Sequence, residues 1–285
     1  MTRAAKVLSV SQPSVSKVLS NAELQLGYAL FDRVKGKLIP TPEADRLFVQ
    51  VTQVNDSVDR LRRVADNLRL MEKGTIRVAA TTAFGIDFLP GAIASYRKER
   101  GDLMFSTETL RHEELAGALL DSRIDIGLAF DPGTLPGIKG ELLGHGRFVV
   151  LVPTGLGLQK SGALRLEDLA GLPFIRLDNK GALDRLLGAH IESRKVELKP
   201  VAIAGSYQMT KALVSHGVGV GIVDEVTARS GHHDNVLIRP LEPALKFRIS
   251  ALHIEKEPMS LVCRGFVDHL KSSLQHFLSG DIPAD

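Results

Sequence analysis

The stretch Arg3-Ala4-Ala5-Lys6-Val7-Leu8-Ser9-Val10-Ser11-Gln12-Pro13-Ser14-Val15-Ser16-Lys17-Val18-Leu19, running on to Leu26-Gly27, decides how the front of this chain folds. Its pattern predicts a short helix over residues 3–8, a turn at Ser9-Val10, and a second helix capped by Ser11 and stopped at Gly27. That is a helix–turn–helix outline. In the second helix Val15, Val18, Leu19, Ala22 and Leu26 share one side, while Gln12, Ser16, Lys17 and Ser20 are polar and short enough to approach another surface. Glutamine can read adenine bidentately, serine and lysine can meet base edges or phosphates, and the amides at a helix N-terminus favour a phosphate. A solvated amphipathic helix would look the same, so the flanking residues have to decide.

Working outward, Leu30-Phe31-Asp32-Arg33-Val34-Lys35-Gly36-Lys37-Leu38-Ile39-Pro40-Thr41-Pro42 has two apolar, strand-like arms around a basic tip, the outline of a small β wing. Arg33, Lys35 and Lys37 are its candidate phosphate contacts, against the plainer reading of a solvated basic hairpin. From Pro42 to Glu72 no glycine or proline follows the first position, and Leu47, Val51, Val54, Val58, Leu61, Ala65 and Leu68 repeat as a three-heptad seam. A helix of about 30 residues is roughly 45 Å long and leaves that seam to be covered. A second copy of the same helix is the expected partner, rather than packing within one chain, so two DNA modules would read two half-sites.

Beyond Lys73-Gly74 the pattern alternates between β and α. Strands are predicted over residues 76–80, 103–109 and 124–130, with helices over 88–100 and 113–120, hence a parallel sheet. A similar order recurs after Pro153: strand 174–177, helix 183–193, strand 201–204, helix 207–215 and strand 218–223. A terminal helix with Leu261, Phe266, Leu270, Leu274 and Phe277 is expected to pack back on one half. Two such halves make a cleft at their strand carboxyl ends. The lining is then Thr81, Thr82, Ala83 and Phe84, His112 before the second helix, Phe130 and Asp131, and, in the second half, Ser206 and Tyr207. Hydroxyls and free amides at helix starts suit a carboxylate, although helix capping alone would also explain each Thr, Ser or His.

Composition limits the alternatives. The 285 residues are 44% hydrophobic, which is ordinary for a globular chain. One cysteine cannot close an intrachain disulfide, which points to a reducing compartment. The longest uncharged runs, residues 148–159 and 212–223, are too short to span a bilayer, and no secretory signal is read at the front, so the expected location is cytoplasmic. The net charge is +3, with the basic excess in residues 1–73, where 12 Lys and Arg face 8 Asp and Glu. No cofactor or metal is expected: His232-His233-Asp234 sits in a polar stretch, Cys263 falls on the terminal helix, and Gly217-Val218-Gly219-Val220-Gly221 lacks the phosphate-loop and dinucleotide spacings and reads as the start of a strand.

The run from Ala4 to Lys17, with Glu23-Leu24-Gln25-Leu26-Gly27-Tyr28-Ala29-Leu30-Phe31-Asp32-Arg33 and Pro40-Thr41-Pro42, resembles the DNA-binding region of LysR-type transcriptional regulators. Within that family residues 30–44 and 79–84 look most like regulators of lysine and opine metabolism. The resemblance implies a winged helix–turn–helix, a linker helix and a two-lobed α/β effector domain like periplasmic solute-binding proteins. The division read is 1–42, 43–73 and 74–285, with lobe I over about 74–152 plus the terminal helix and lobe II over about 153–257. It implies double-stranded DNA as a partner, touched by Ser11, Gln12, Pro13, Ser16 and Lys17, with Arg33 and Lys35 in the wing. It also implies a small effector, an amino acid or related carboxylate, met by Thr81, Thr82, Ala83, His112, Phe130, Ser206 and Tyr207, and a homodimer through the linker helix, or a tetramer. Family members usually carry Ser or Thr where His112 stands, so imidazole here offers a different contact to a carboxylate.

The family normally has about twenty residues ahead of Ala4, forming a helix under the recognition helix. Without that helix Val15, Val18 and Leu19 would be exposed, each contributing about 1.5–3 kcal/mol when buried, and weakened specific DNA binding is the expectation. A DNA-binding-deficient homologue or a cytoplasmic small-molecule-binding protein is the alternative to a regulator. No catalytic constellation supports an enzyme.

Overall fold

Capping residues shape the front of the chain in the structure, a computed structural model that describes residues 2–7, 9–34, 36–69, 74–156, 162–178, 181–231 and 235–279. A turn joins α1 (Thr2–Val7) to α2 (Gln12–Leu26). Ser11 Oγ accepts from the Ser14 amide at 3.3 Å, and Pro13 sits in the first turn, where its missing N–H leaves nothing unpaired. Gly27, at φ +78, takes the left-handed conformation that ends α2, and its N–H returns to the Glu23 carbonyl at 2.9 Å. β1 (Phe31–Val34) and β2 (Lys37–Pro40) pair antiparallel as the expected wing. The Glu23 carboxylate ties that hairpin to α2 by accepting from the amides of Leu30 at 2.7 Å and Phe31 at 3.2 Å.

The Pro-Thr-Pro run starts α3 (Pro42–Arg69). Thr41, buried, donates its hydroxyl to the Ala29 carbonyl at 3.0 Å and accepts from the Ala44 amide at 3.2 Å, so one side chain ends the wing and caps the helix. Along α3 the seam residues Val51, Val54, Val58 and Leu61 are exposed, Val54 by 64%, while the side chain of Leu68 lies outside the described residues. The chain divides into two compact units, residues 1–61 and 62–285.

The second unit opens with the expected alternation: β3 (Thr75–Ala80), α4 (Thr82–Gly85), α5 (Phe88–Glu99), β4 (Met104–Thr109), α6 (His112–Leu120) and β5 (Ile126–Phe130). β3 is parallel to both β4 and β5. The sixteen-residue β6 (Ile138–Pro153) follows. Then come β7 (Pro173–Leu177), α7 (Ala182–Arg194), β8 (Lys199–Ala204), α8 (Tyr207–Ser215), β9 (Val220–Asp224) and α9 (Glu225–Arg229). β10 (Val236–Pro240), β11 (Lys246–Ile254) and α10 (Leu261–Ser279) complete the unit. Strand order is β4-β3-β5-β11-β6-β9-β7-β8, with β10 on β6.

The strands expected over 76–130 are parallel as read, within a sheet that is mixed overall, since β11 runs antiparallel to β5 and β6, and β6 runs antiparallel to β9. Two expectations are corrected by this topology. The lobe boundary moves. Residues 138–147 of β6 pair with β11 in the first lobe, and residues 148–153 pair with β9 and β10 in the second. β11, placed by its position in the second lobe, therefore belongs to the first. The reason is that a strand is placed by its partners and not by its neighbours in sequence. Finally, His112 is the first residue of α6 rather than a residue before it.

α10 packs on the first lobe through Tyr96–Phe266 and Phe88–Phe277 ring contacts, with centroids 5.2 Å and 5.6 Å apart. In the glycine-rich run Gly219 is pressed against β7, where a Cβ would stand 2.3 Å from the Pro173 carbonyl oxygen. Close backbone approach is its role, consistent with the start of a strand. Cys263 is buried on α10, and burial pushes its thiol up to about 11, the setting of a packing residue. His232, His233 and Asp234 lie outside the described residues. No helix among the described residues is long and apolar enough to cross a membrane.

Candidate functional site

Of the DNA set, Ser11, Gln12, Pro13 and Lys17 are exposed around the start of α2, and Ser16 is half-buried on the next turn. Ser11 carries a structural duty as the cap. Its Oγ also lies 2.7 Å from Ser14 Oγ. Arg33 is exposed on β1, and Lys35 lies outside the described residues. The positive end of a fifteen-residue helix and the exposed Lys17 near it make a surface suited to phosphate. In the same unit Val18 is 70% exposed, whereas Val15 and Leu19 are half-buried.

The effector set gathers where strand carboxyl ends meet helix starts. In the first lobe Ala80 ends β3 and Phe130 ends β5, with Thr81, Thr82 and Ala83 following β3 directly. In the second, Ala204 ends β8 and is followed by Ser206 and Tyr207. Both sides meet, because α4 packs on α8 and α9. A run of rings joins the floor: Phe84 on Phe130 at 4.4 Å, Phe130 on Phe247 at 5.1 Å, Phe247 on Phe148 at 5.2 Å and Phe148 on Tyr207 at 6.4 Å. Phe130 and Ala83 are thus part of the apolar core.

Capping versus binding can now be read residue by residue. Ser206 Oγ accepts from the Met209 amide at 3.1 Å and caps α8. Thr81 precedes α4 without capping it: its Oγ1 is buried and has no hydrogen-bond partner in the protein. Thr82 is exposed. Tyr207 is only 6% exposed, its hydroxyl is also without a partner, and burial, reinforced by Asp224 and Asp184, pushes its phenol well above the usual range. His112 is half-buried, and its imidazole is pushed down by burial first, then by Arg185, against the pull of Glu113. His112 and Arg185 belong to different lobes, so this smaller contribution acts between them.

Beside these stands a polar cluster that sequence reading missed. Asp224 is fully buried at the end of β9; Oδ1 accepts from the Thr227 amide at 2.8 Å, Oδ2 has no partner, and burial pushes its carboxyl up to about 6. Lys211, buried on α8, donates to the carbonyls of Thr227 at 3.3 Å, Ala228 at 2.8 Å and Ser230. Burial pushes its amine down to about 8, with Asp87 and Asp224 opposing. Asp87 of the first lobe accepts from the Gly231 amide at 3.0 Å. Glu225 receives Arg147 at 3.1 Å and Arg229 at 2.8 Å. The Asp224-Glu225-Val226-Thr227 capping pattern was readable in the sequence. Nothing local announces Lys211.

Among the described residues no group of His, Cys, Asp and Glu could hold a metal ion. Two family matches cover nearly the whole chain: residues 1–45 match the bacterial regulatory helix-turn-helix protein, lysR family, and residues 71–275 match the LysR substrate binding domain. The HTH-type transcriptional regulator DgcR of a Pseudoalteromonas species is 37% identical over 274 residues, covering 96% of this chain and 94% of that protein. The regulatory protein NocR of Agrobacterium tumefaciens (strain T37) is 29% identical over 272 residues, covering 92% and 88%. A crystal structure of full-length CbnR complexed with its target DNA shares the fold, with a TM-score of 0.68, 19% identity, and coverage of 95% of this chain and 93% of that one. With a helix–turn–helix ahead of an effector-binding domain, and with regulators rather than enzymes as its kin, this chain belongs to the LysR family of DNA-binding transcriptional regulators.

Proposed function

We propose that this regulator binds a small carboxylate, an amino acid or a relative of one, between the lobes of its second unit, and that occupancy alters how it holds an operator. The observation that carries the reading is the pair of buried, unpartnered hydroxyls, Thr81 Oγ1 and Tyr207 Oη, at the starts of α4 and α8, two helices that pack on each other. Buried polar atoms are nearly always satisfied, so an unpartnered pair at a lobe junction marks a place for a ligand. Thr81 and Thr82 receive the carboxylate with the first amides of α4, His112 faces it from α6, and Ser206 holds α8 in place. Phe130 and Ala83 shape the floor.

On the DNA side Gln12, Ser16 and Lys17 enter the major groove, while Ser11, Pro13, Arg33 and Lys35 lie along the backbone. The exposed seam of α3 pairs with the same seam of a second chain. Domains 1–42, 43–73 and 74–285 then serve DNA reading, assembly and sensing.

Selection of fragments from the source genome at about 50 and 200 mM salt, with and without a panel of small carboxylates, tests the reading, because phosphate contacts weaken steeply over that range. A discrete set of fragments whose enrichment shifts with one carboxylate is the expected result. No enrichment under any condition would sink it.

A further inference from the structure

The five-residue α9 buries Glu225, Val226, Thr227 and Ala228, although the run Asp224-Glu225-Val226-Thr227-Ala228-Arg229-Ser230-Gly231 is rich in polar side chains. Buried polar groups need partners, and those of this segment come from both lobes. From its own lobe, Asp224 Oδ1 accepts from the Thr227 amide at 2.8 Å. Lys211 of α8 donates to the carbonyls of Thr227 at 3.3 Å, Ala228 at 2.8 Å and Ser230, at the end of the helix, where carbonyls run out of helical partners. Two contacts arrive from the first lobe. Arg147, on β6 where that strand crosses between the lobes, donates to Glu225 Oε2 at 3.1 Å at the start of α9. Asp87 Oδ2 accepts from the Gly231 amide at 3.0 Å just beyond its end.

Asp87 stands immediately before α5, where an aspartate side chain ordinarily accepts from the first amides of its own helix, yet it makes no such bond. Its carboxylate reaches the other lobe instead, to a glycine held at φ +69. Asp87 also attracts the Lys211 ammonium, so opposite charges hold one turn: the amine its carbonyls, the carboxylate its last amide. The two ties to the first lobe differ in what a rotation of the lobes does to them. Arg147 lies at the crossover and moves little, and Glu225 is held as well by Arg229 at 2.8 Å. Asp87 lies on neither of the segments that join the lobes, β6 and the chain between β10 and β11, so rotation separates it from Gly231. A single hydrogen bond to an amide is worth little net against water, which makes this the contact able to release.

We propose that α9 is an interlobe latch: Glu225 with Arg147 is its pivot, and the Asp87–Gly231 hydrogen bond, on a turn stiffened by Lys211, is the contact that opens when the lobes turn. The latch sets the resting angle of the lobes from within the chain, whatever the cleft takes.

Spin labels on Lys98→Cys in α5 and Glu192→Cys in α7, both exposed, report the distance between the lobes in the full chain without ligand, labelled chains being diluted in unlabelled ones. Cys263 is buried and stays in place. One narrow distance is expected. Asp87→Ala should add a second distance and speed amide exchange over residues 225–231 about two- to tenfold. Asp87→Asn, which keeps an oxygen for the Gly231 amide, should restore the single distance. An unchanged distance in Asp87→Ala overturns the latch even if exchange quickens, because Asp87 then only orders the turn. A parent already spread over two distances overturns it too, and Asp87→Asn behaving as Asp87→Ala overturns the hydrogen bond as the releasing contact. Every readout is made without ligand, so failure here leaves the carboxylate site standing, and failure of carboxylates to bind leaves the latch standing.

Discussion

Lys211 shows how burial redirects a charged residue. Its amine is pushed down to about 8 from 10.5, so between those values the unfolded chain binds the proton more readily than the folded one. Stability therefore rises with pH across that window and the gain is lost as pH falls through 8. Lys211→Met should flatten this slope in urea unfolding, besides leaving three carbonyls without their donor; parallel pH profiles for the two proteins would refute the assignment. Asp224 has the opposite sign of slope. Its carboxyl is raised from 3.8 to about 6, so its contribution is fully present below 3.8 and lost as pH rises through 6. Asp224→Asn, which keeps an oxygen for the Thr227 amide, should remove that loss. Thr41 makes a different case. Thr41→Ala takes away both the Ala29 and Ala44 hydrogen bonds and should lower stability by about 1–2 kcal/mol in denaturant unfolding.

At the scale of elements, α2 and α3 were the most legible because their signals are local. Ser11 and Gly27 bracket α2 within its own residues, and the heptads of α3 need no knowledge of the rest of the chain. Lys17, exposed on α2, is assigned a phosphate or base-edge contact. Lys17→Ala should weaken operator binding and lower the slope of log affinity against log salt by about 1 if the contact is to phosphate, measured by titration over a salt series. The α3 seam is exposed at Val51, Val54, Val58 and Leu61. Val54→Asp should convert a sedimenting dimer to monomer, and an unchanged sedimentation coefficient would remove α3 from the interface. β6 was illegible for a converse reason. Three glycines and scattered charges over residues 138–147 read as irregular chain, yet β11 pairs along that whole length.

The second unit as a whole is held by what crosses between its lobes. Phe247 on β11 stands between Phe130 of the first lobe and Phe148 of the second, so the cleft floor is one apolar run. Phe247→Ala should cost about 3–5 kcal/mol in denaturant unfolding, whereas Ile203→Ala on the exposed edge strand β8 should cost little. Comparable losses for both would mean that the ring run does not join the lobes.

Sequence alone sufficed for the helix–turn–helix, the wing, the linker helix, the two α/β halves and the family, because caps, turns and periodicities act over a few residues. It also placed Thr81 and Tyr207 just after strand carboxyl ends, which is where they stand in the structure. Only the tertiary structure decided that Ser206 caps while Thr81 does not, that β6 runs through both lobes while β11 belongs to the first, and that Asp224 and Lys211 are buried. Each of those depends on which distant residue arrives as a neighbour, and solvation, hydrogen-bond satisfaction and strand pairing are set by neighbours in space.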